Sequence, residues 1–287
     1  MSGGSSAVAS KGLRGIGIGF WVSVGWLVTV ILVAVLAPWL PLKDPDLNYI
    51  ATGERPPYGP SLTHLFGTDQ DARDMFARTV FGARTSLVIG FVAIAFGMLV
   101  GGTLGIIAGY YRGWADRVLS SVMLVLLSFP SLILAILITS LLDRGLTTIS
   151  ATLGVLAVAP VARLARAATL AYADRDFVTA TRALGAGDRR IIVRELLPNV
   201  VIPMSALALL GMAVAIVAEG GLAFLGLSVE KGTTWGKLIL FGAGARDLER
   251  APWIAFAPII VLFLTVLALN YAGDRIRDHF DAREIAL

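Results

Sequence analysis

Groups able to do chemistry are scarce in the apolar parts of this chain. Glu219 is the lone acid inside an apolar run, beside Gly220-Gly221. An acid at membrane depth points to function by default. It either lines a water-filled path or sits shallow at the interface, bonded to neighbouring backbone, and the second is the expectation here. His64 and His279 stand alone, without a third ligand, so no metal site is expected. The absence of cysteine excludes disulfides, zinc–thiolate sites and thiol nucleophiles. No phosphate-binding Gly-x-x-x-x-Gly-Lys-Ser/Thr loop is present, because Gly236-Lys237 is followed by Leu238. The chain therefore cannot hydrolyse ATP unaided, and no catalytic residue is expected in it.

The elements that would position these groups are apolar and long. Of 287 residues, 56% are hydrophobic and 15% charged, with a mean hydropathy of +0.79. That composition excludes a soluble enzyme, a disordered chain and a secreted disulfide scaffold. Charge-free runs occur at 15–42, 85–111, 118–142, 145–162, 196–218 and 251–273. A membrane helix needs about 20 apolar residues, and only helices satisfy the backbone of such runs inside lipid. The expected fold is an all-α integral membrane protein with six transmembrane helices. The first, at 18–40, is read as retained rather than as a signal peptide, because its apolar stretch exceeds the ~7–15 residues of a signal core. Pro130 and Pro203 fall within the third and fifth spans, where they either kink a helix around a path or are simply tolerated. Gly97, Gly101, Gly102 and Gly105 have spacings suited to close helix packing.

Orientation follows from the basic residues. With a cytoplasmic N-terminal tail at 1–17 and a cytoplasmic C-terminal tail at 274–287, inside segments carry 14 of the 24 Lys and Arg. Seven arginines lie between Arg163 and Arg194. The net charge of +4 is assigned to this topology and to contact with the lipid bilayer, not to nucleic acid.

Two loops stand out. The extracytoplasmic loop at 41–84 opens with prolines and turns helix-like from Asp69 to Arg84, which predicts a short amphipathic helix on the outer membrane face, capped by Asp69 or Asp71. The loop at 174–198, inside the core domain at 85–273, reads as helix, turn and helix. Asp174 or Asp176 opens the first helix, Gly185-Ala186-Gly187 supplies a left-handed end, Asp188 caps the second, and Pro198 marks entry to the next span. On pattern alone, this knob either docks a partner or rests on the lipid surface.

This loop resembles the cytoplasmic Glu-Ala-Ala loop of bacterial ABC importer permeases. The triplet falls on Thr179-Ala180-Thr181, the glycine on Gly185 and the proline on Pro198. The motif's glutamate is thus Thr179. Further stretches are similar to the dipeptide and oligopeptide permease family: His64-Leu-Phe-Gly-Thr-Asp69, Arg73-Asp74, with Ala72 where a Gly is usual, Gly82-Ala-Arg-Thr-Ser-Leu87, Gly109-Tyr-Tyr-Arg-Gly-Trp114, Phe129-Pro-Ser131, Phe224-Leu-Gly-Leu227 and Asn270-Tyr-Ala-Gly-Asp274. The similarity spans about residues 20–284 and looks most like the C-type of two paired subunits.

The resemblance implies a type I importer fold in a bacterial inner membrane. Its implied partners are a second homologous permease subunit, two cytoplasmic ATPase subunits that bind ATP and Mg, and an extracytoplasmic substrate-binding protein. No cofactor is expected in this chain. Coupling is expected at Asp176, Thr179, Ala180, Thr181, Arg182, Gly185, Asp188, Arg189 and Pro198. The implied cargo is a di- or oligopeptide, with a nickel chelate or a sugar as the alternative. An intramembrane enzyme or a self-sufficient channel is the rival class, and the lack of titratable groups in the spans disfavours the former.

Overall fold

The computed structural model describes residues 17–50 and 55–284, with side chains to His279. Lys11, Arg14 and the side chain of Arg283, counted in the expected tails, lie outside them. Among the described residues, helices are the only regular secondary structure apart from one isolated bridge between Thr68 and Asp74. In chain order the helices are α1 Ile18–Leu36, α2 Met75–Tyr111, α3 Gly113–Ser128, α4 Ser131–Leu141 and α5 Leu146–Ala173. Next come α6 Asp176–Ala183, α7 Asp188–Phe224, α8 Trp235–Gly242, α9 Ala245–Arg250 and α10 Trp253–Glu284.

Five of these (α1, α2, α5, α7 and α10) are each long and apolar enough to cross a membrane, and α3 with α4 makes a sixth candidate bent by 83°. The bend sits at Phe129-Pro130, both extended. Proline lacks an N–H and disfavours helix in the residue before it. Pro130 therefore separates two helices instead of kinking one span, whereas α7 runs through Pro198 and Pro203 as one helix.

α2 and α5 form the central pair. Gly97, Gly101, Gly105 and Gly109 recur every fourth residue along α2, and a Cβ on any of them would lie within 2.8 Å of an atom of α5. Gly102, also expected in this seam, is off it: a Cβ there would meet nothing within 4 Å. Residues 97–101 form a π-helical turn inside α2, where π-bulges let a helix shift its face. α1 rides on the edge against α10, with Trp26 Nε1 donating to Thr265 Oγ1 at 3.2 Å.

The outer loop departs from expectation. No separate amphipathic helix covers Asp69–Arg84. Instead Asp74 caps α2 by accepting from the Ala77 N–H at 2.9 Å, and Met75, Ala77 and Arg78 are buried. The apolar face of this turn packs against Leu238, Ala251 and Ile254 rather than against lipid. Asp69 and Asp71 cap nothing; Asp69 ties the preceding turn, accepting from the Asp71 and Arg73 N–H groups and from Arg73 Nε at 2.9 Å. His64 Nδ1 bonds Asp74 Oδ2 at 2.8 Å, a structural role. Trp253 Nε1 donates to Thr68 O at 3.0 Å, and Trp235 Nε1 to Thr79 O at 3.0 Å, which pins this cap to α10 and α8.

Ala72 is fully buried with φ 59. That left-handed conformation explains why glycine suits the position, since a Cβ there costs about 1–2 kcal/mol. Ala72→Gly is expected to stabilise the protein by about 1 kcal/mol. A thermal melt of the purified protein reads this, and an unchanged or lowered midpoint would contradict it.

Candidate functional site

The knob is built from the end of α5, the whole of α6 and the start of α7. α5 stops at Ala173, and Asp174 and Arg175 turn the chain. α6 then covers Asp176–Ala183. Asp176 lies in its first turn, as expected, where an anion suits the helix dipole; the N-cap is Arg175, without a side-chain bond. The helix closes with a Schellman pattern. The Ala186 N–H donates to Thr181 O at 3.2 Å and the Gly185 N–H to Arg182 O at 3.0 Å, with Gly185 at φ 84. Gly185 thus makes the turn its spacing predicts. The second helix begins at Asp188 itself, with Gly187 as cap, and passes through a π-helical stretch, Ile191–Leu196, into the membrane-spanning part without a break. Pro198 is therefore an exposed residue inside a continuous helix, not the gate to a separate span.

The underside of the knob is apolar and sealed. Val178, Ile191 and Leu196 are fully buried, with Ala173, Tyr110, Tyr172 and Ala186 around them. The outer side carries Asp176, Thr179, Ala180, Arg182 and Arg189, all exposed. Thr181 is half-buried, its hydroxyl donating to Phe177 O at 2.8 Å. Phe177, Ala180 and Leu184 fall at helical spacing on this side, and Leu184 is 89% exposed. An apolar ridge ringed by arginines is a surface that a partner can cover.

The end of α2 grips the knob at both sides. The Tyr110 hydroxyl donates to Asp188 Oδ1 at 2.7 Å. Arg182 stacks over the Tyr110 ring, 5.8 Å from its centroid. Arg112 Nη2 donates to Asp174 Oδ2 at 2.6 Å. Deeper, Arg166 pairs with both oxygens of Asp116, fastening α3 to α5. Arg182 and Asp188, both exposed, are thus brought together on one tyrosine. Tyr110, Arg112, Phe177 and Leu184 escaped sequence reasoning. Tyr110 lies in a recognisable stretch, but 78 residues separate it from Asp188, and no local spacing could pair them.

The remaining candidates lie elsewhere. Glu219 sits 31 residues along α7 from Asp188, about 46 Å by helical rise. It is 1% exposed. It is not bonded to backbone as expected: the Ser228 hydroxyl donates to its Oε1, and its Oε2, beside Gly236, has no partner. Nearby, the Lys237 ammonium donates to Val229 O at 3.0 Å and Gly232 O at 2.8 Å. Burial, and then the Arg78 guanidinium, push that ammonium below the usual lysine range. Pro130 marks the α3–α4 bend, and Pro203 lies half-buried in α7.

Residues 101–285 match the family of binding-protein-dependent transport system inner membrane components. The chain is 36% identical over 259 residues to the dipeptide transport system permease protein DppC of Alkalihalophilus pseudofirmus, covering 90% of this chain and 83% of that protein. It is 33% identical to the glutathione transport system permease protein GsiD of Pectobacterium atrosepticum, covering 91% and 87%. It is 35% identical to the di/tripeptide transport system permease protein DppC of Pseudomonas aeruginosa, covering 90% and 86%. Among solved structures, the MetNI methionine ABC transporter in an inward-facing form has a similar fold, with a TM-score of 0.59 at 21% identity over 71% of this chain and 97% of that one.

Proposed function

Because the chain belongs to the binding-protein-dependent transport system inner membrane components and is a permease subunit of an ABC importer, we propose that its cargo is a di- or oligopeptide and that the 174–198 knob receives the force that moves it. The cargo reading rests on relatives named for dipeptides, di/tripeptides and glutathione. The subunit pairs with a second, homologous permease in a bacterial inner membrane, with both termini cytoplasmic. An extracytoplasmic binding protein delivers the peptide. Two cytoplasmic ATPase subunits bind ATP and Mg, and one of them takes the knob in a surface cleft.

The observation that carries the coupling reading is the two-sided knob. Its underside is fully packed on the ends of α2, α5 and α7, while Phe177 and Leu184 stand exposed on the other side. A docking element needs both properties, an apolar outer ridge to be held and a rigid seat to transmit the load. ATP-driven closure of the ATPases then moves the knob as one body and switches the spans between inward-open and outward-open states. Thr179, Ala180 and Arg189 lie exposed beside the ridge, whereas Arg182, Gly185 and Asp188 hold its shape.

Leu184→Asp is expected to reduce co-purification of the ATPase subunits at least tenfold while leaving the permease inserted at its normal level. Gly185→Pro, which breaks the turn itself, is expected to lose both ATPase binding and uptake. Wild-type recovery of ATPases with both variants would sink the coupling reading. The cargo is tested separately, by calorimetric titration of the cognate binding protein with di- and tripeptides. Binding of a nickel chelate or a sugar, with none of peptide, would replace the peptide assignment.

A further inference from the structure

The connection between α7 and α8, residues 225–234, is held from three directions. From below, Glu219 accepts from Ser228, and Lys237 of α8 donates to the carbonyls of Val229 and Gly232. Both holds are internal to the α7–α8 pair. The third comes from outside it. Arg144, in the turn between α4 and α5, donates through Nη1 to Gly226 O and pairs through Nη2 with Glu230 at 3.2 Å. The Glu230 N–H returns a bond to Arg144 O at 2.8 Å. The two side chains are 37% and 58% exposed.

What Arg144 helps to hold in place is a loosely anchored helix. α4 buries only Ala135 and Thr139, and Leu132, Ile133, Leu137 and Leu141 are exposed. The 83° bend at Pro130 uncouples it from α3. Ala135 and Ile136 pack against Ala215, Ala218 and Leu222 of α7. Beyond that apolar contact, the turn after α4 is joined to the α7–α8 connection through Arg144 and one backbone bond, and an ion pair this exposed to solvent is weak. A weak, repeatable contact at the outer end of a loosely packed helix is suited to being broken and remade.

We propose that Arg144 is a positioning residue for transport: a latch that holds α4 to the α7–α8 connection in the conformation described here and releases it in the alternate one. The latch depends on the ATP-driven importer reading above. Glu219 and Lys237 keep the 225–234 connection bound to α7 and α8 throughout, so that the opening falls at Arg144.

The chain contains no cysteine, which makes the test simple. The Glu230 N–H bond to Arg144 O at 2.8 Å brings the two backbones together, and a disulfide between them needs a Cα separation of about 4.4–6.8 Å. R144C/E230C is introduced in the complete complex with its ATPases. Disulfide formation under copper phenanthroline is followed by mass spectrometry, without nucleotide and after trapping with ATP and orthovanadate. The latch predicts at least tenfold slower cross-linking in the trapped complex, with maleimide reactivity of each single-cysteine variant changed by less than twofold. Equal cross-linking rates overturn it. Where the double variant does not assemble, R144A and R144K are compared: the latch predicts a basal ATPase rate about threefold higher in R144A, with R144K between it and the parent, and unchanged rates overturn it. A parent complex that hydrolyses no ATP at all would instead remove the importer reading on which the latch depends.

Discussion

Replacing Gly105 by valine is expected to destabilise the subunit by about 3 kcal/mol or more, the upper end of overpacking effects, and to leave little of it correctly folded in the membrane. A Cβ at this position would lie 2.3 Å from Ala162 O, 2.7 Å from Ala165 Cβ and 2.8 Å from the Arg166 backbone nitrogen. Two of the three obstacles are main-chain atoms, so no side chain can rotate aside and α2 and α5 must separate. In lipid the loss is not recovered elsewhere, because helix association there depends on close packing instead of on the hydrophobic effect. The separation would also disturb Arg166 and its pair with Asp116, and with them the seat of the knob. Gly102→Ala is the matched control. Its Cβ meets nothing within 4 Å, and alanine favours helix by up to about 1 kcal/mol, so that variant should be as stable as the parent or slightly more so. Thermal melts of the purified complex, with quantification of inserted protein, measure both. Equal losses at the two glycines would mean that the α2–α5 seam is not where the packing is tight.

The second large effect is expected at Asp69. Its carboxylate accepts from Arg73 Nε and from Arg78, whose side chain is only 5% exposed and whose Nε already has no partner. Asp69→Ala leaves the buried Arg78 guanidinium without its paired carboxylate, and removing one partner of a buried pair costs about 3–5 kcal/mol. The loss should be largest around the start of α2, seen as proteolytic sensitivity of the segment that precedes it and a lowered melting midpoint. The double variant Asp69→Ala/Arg78→Met buries no charge and should regain a substantial part of the stability. If it is no better than the single variant, Asp69 acts through the backbone N–H groups of Asp71 and Arg73 and not through the ion pair.

Much of this architecture is legible along the chain because membrane helices are written locally. Charge-free length gives the spans, and Gly185 announces its turn because a left-handed backbone position is a property of one residue. The α2 glycines show their seam by period, although Gly102 looks equally suitable and is not in it; the π-helical turn at 97–101 shifts the facing, and no propensity scale registers that. The turn before α2 departs from its sequence pattern for a related reason. Met75, Phe76, Thr79 and Val80 have an amphipathic spacing, but the surface that buries their apolar side comes from α8 and α10, more than 150 residues away. In the same way Tyr110 cannot be connected to Asp188, nor Arg144 to Gly226, by spacing alone. Contacts between distant helix ends are where the candidate site exceeds what the sequence discloses.

The unbroken α7 has a mechanical consequence. Its 37 residues make a rod about 55 Å long, with the knob's second helix as one end and Glu219 near the other. The π-helical stretch Ile191–Leu196 and the prolines at 198 and 203 are the places where such a rod bends; where they stay rigid, a tilt of about 10° about the midpoint swings each tip by about 5 Å, in opposite directions. A push delivered at Asp188 thus reaches the far membrane face as a lever stroke of comparable size and reversed sense, and whatever is fastened to the outer tip moves against the elements that are not.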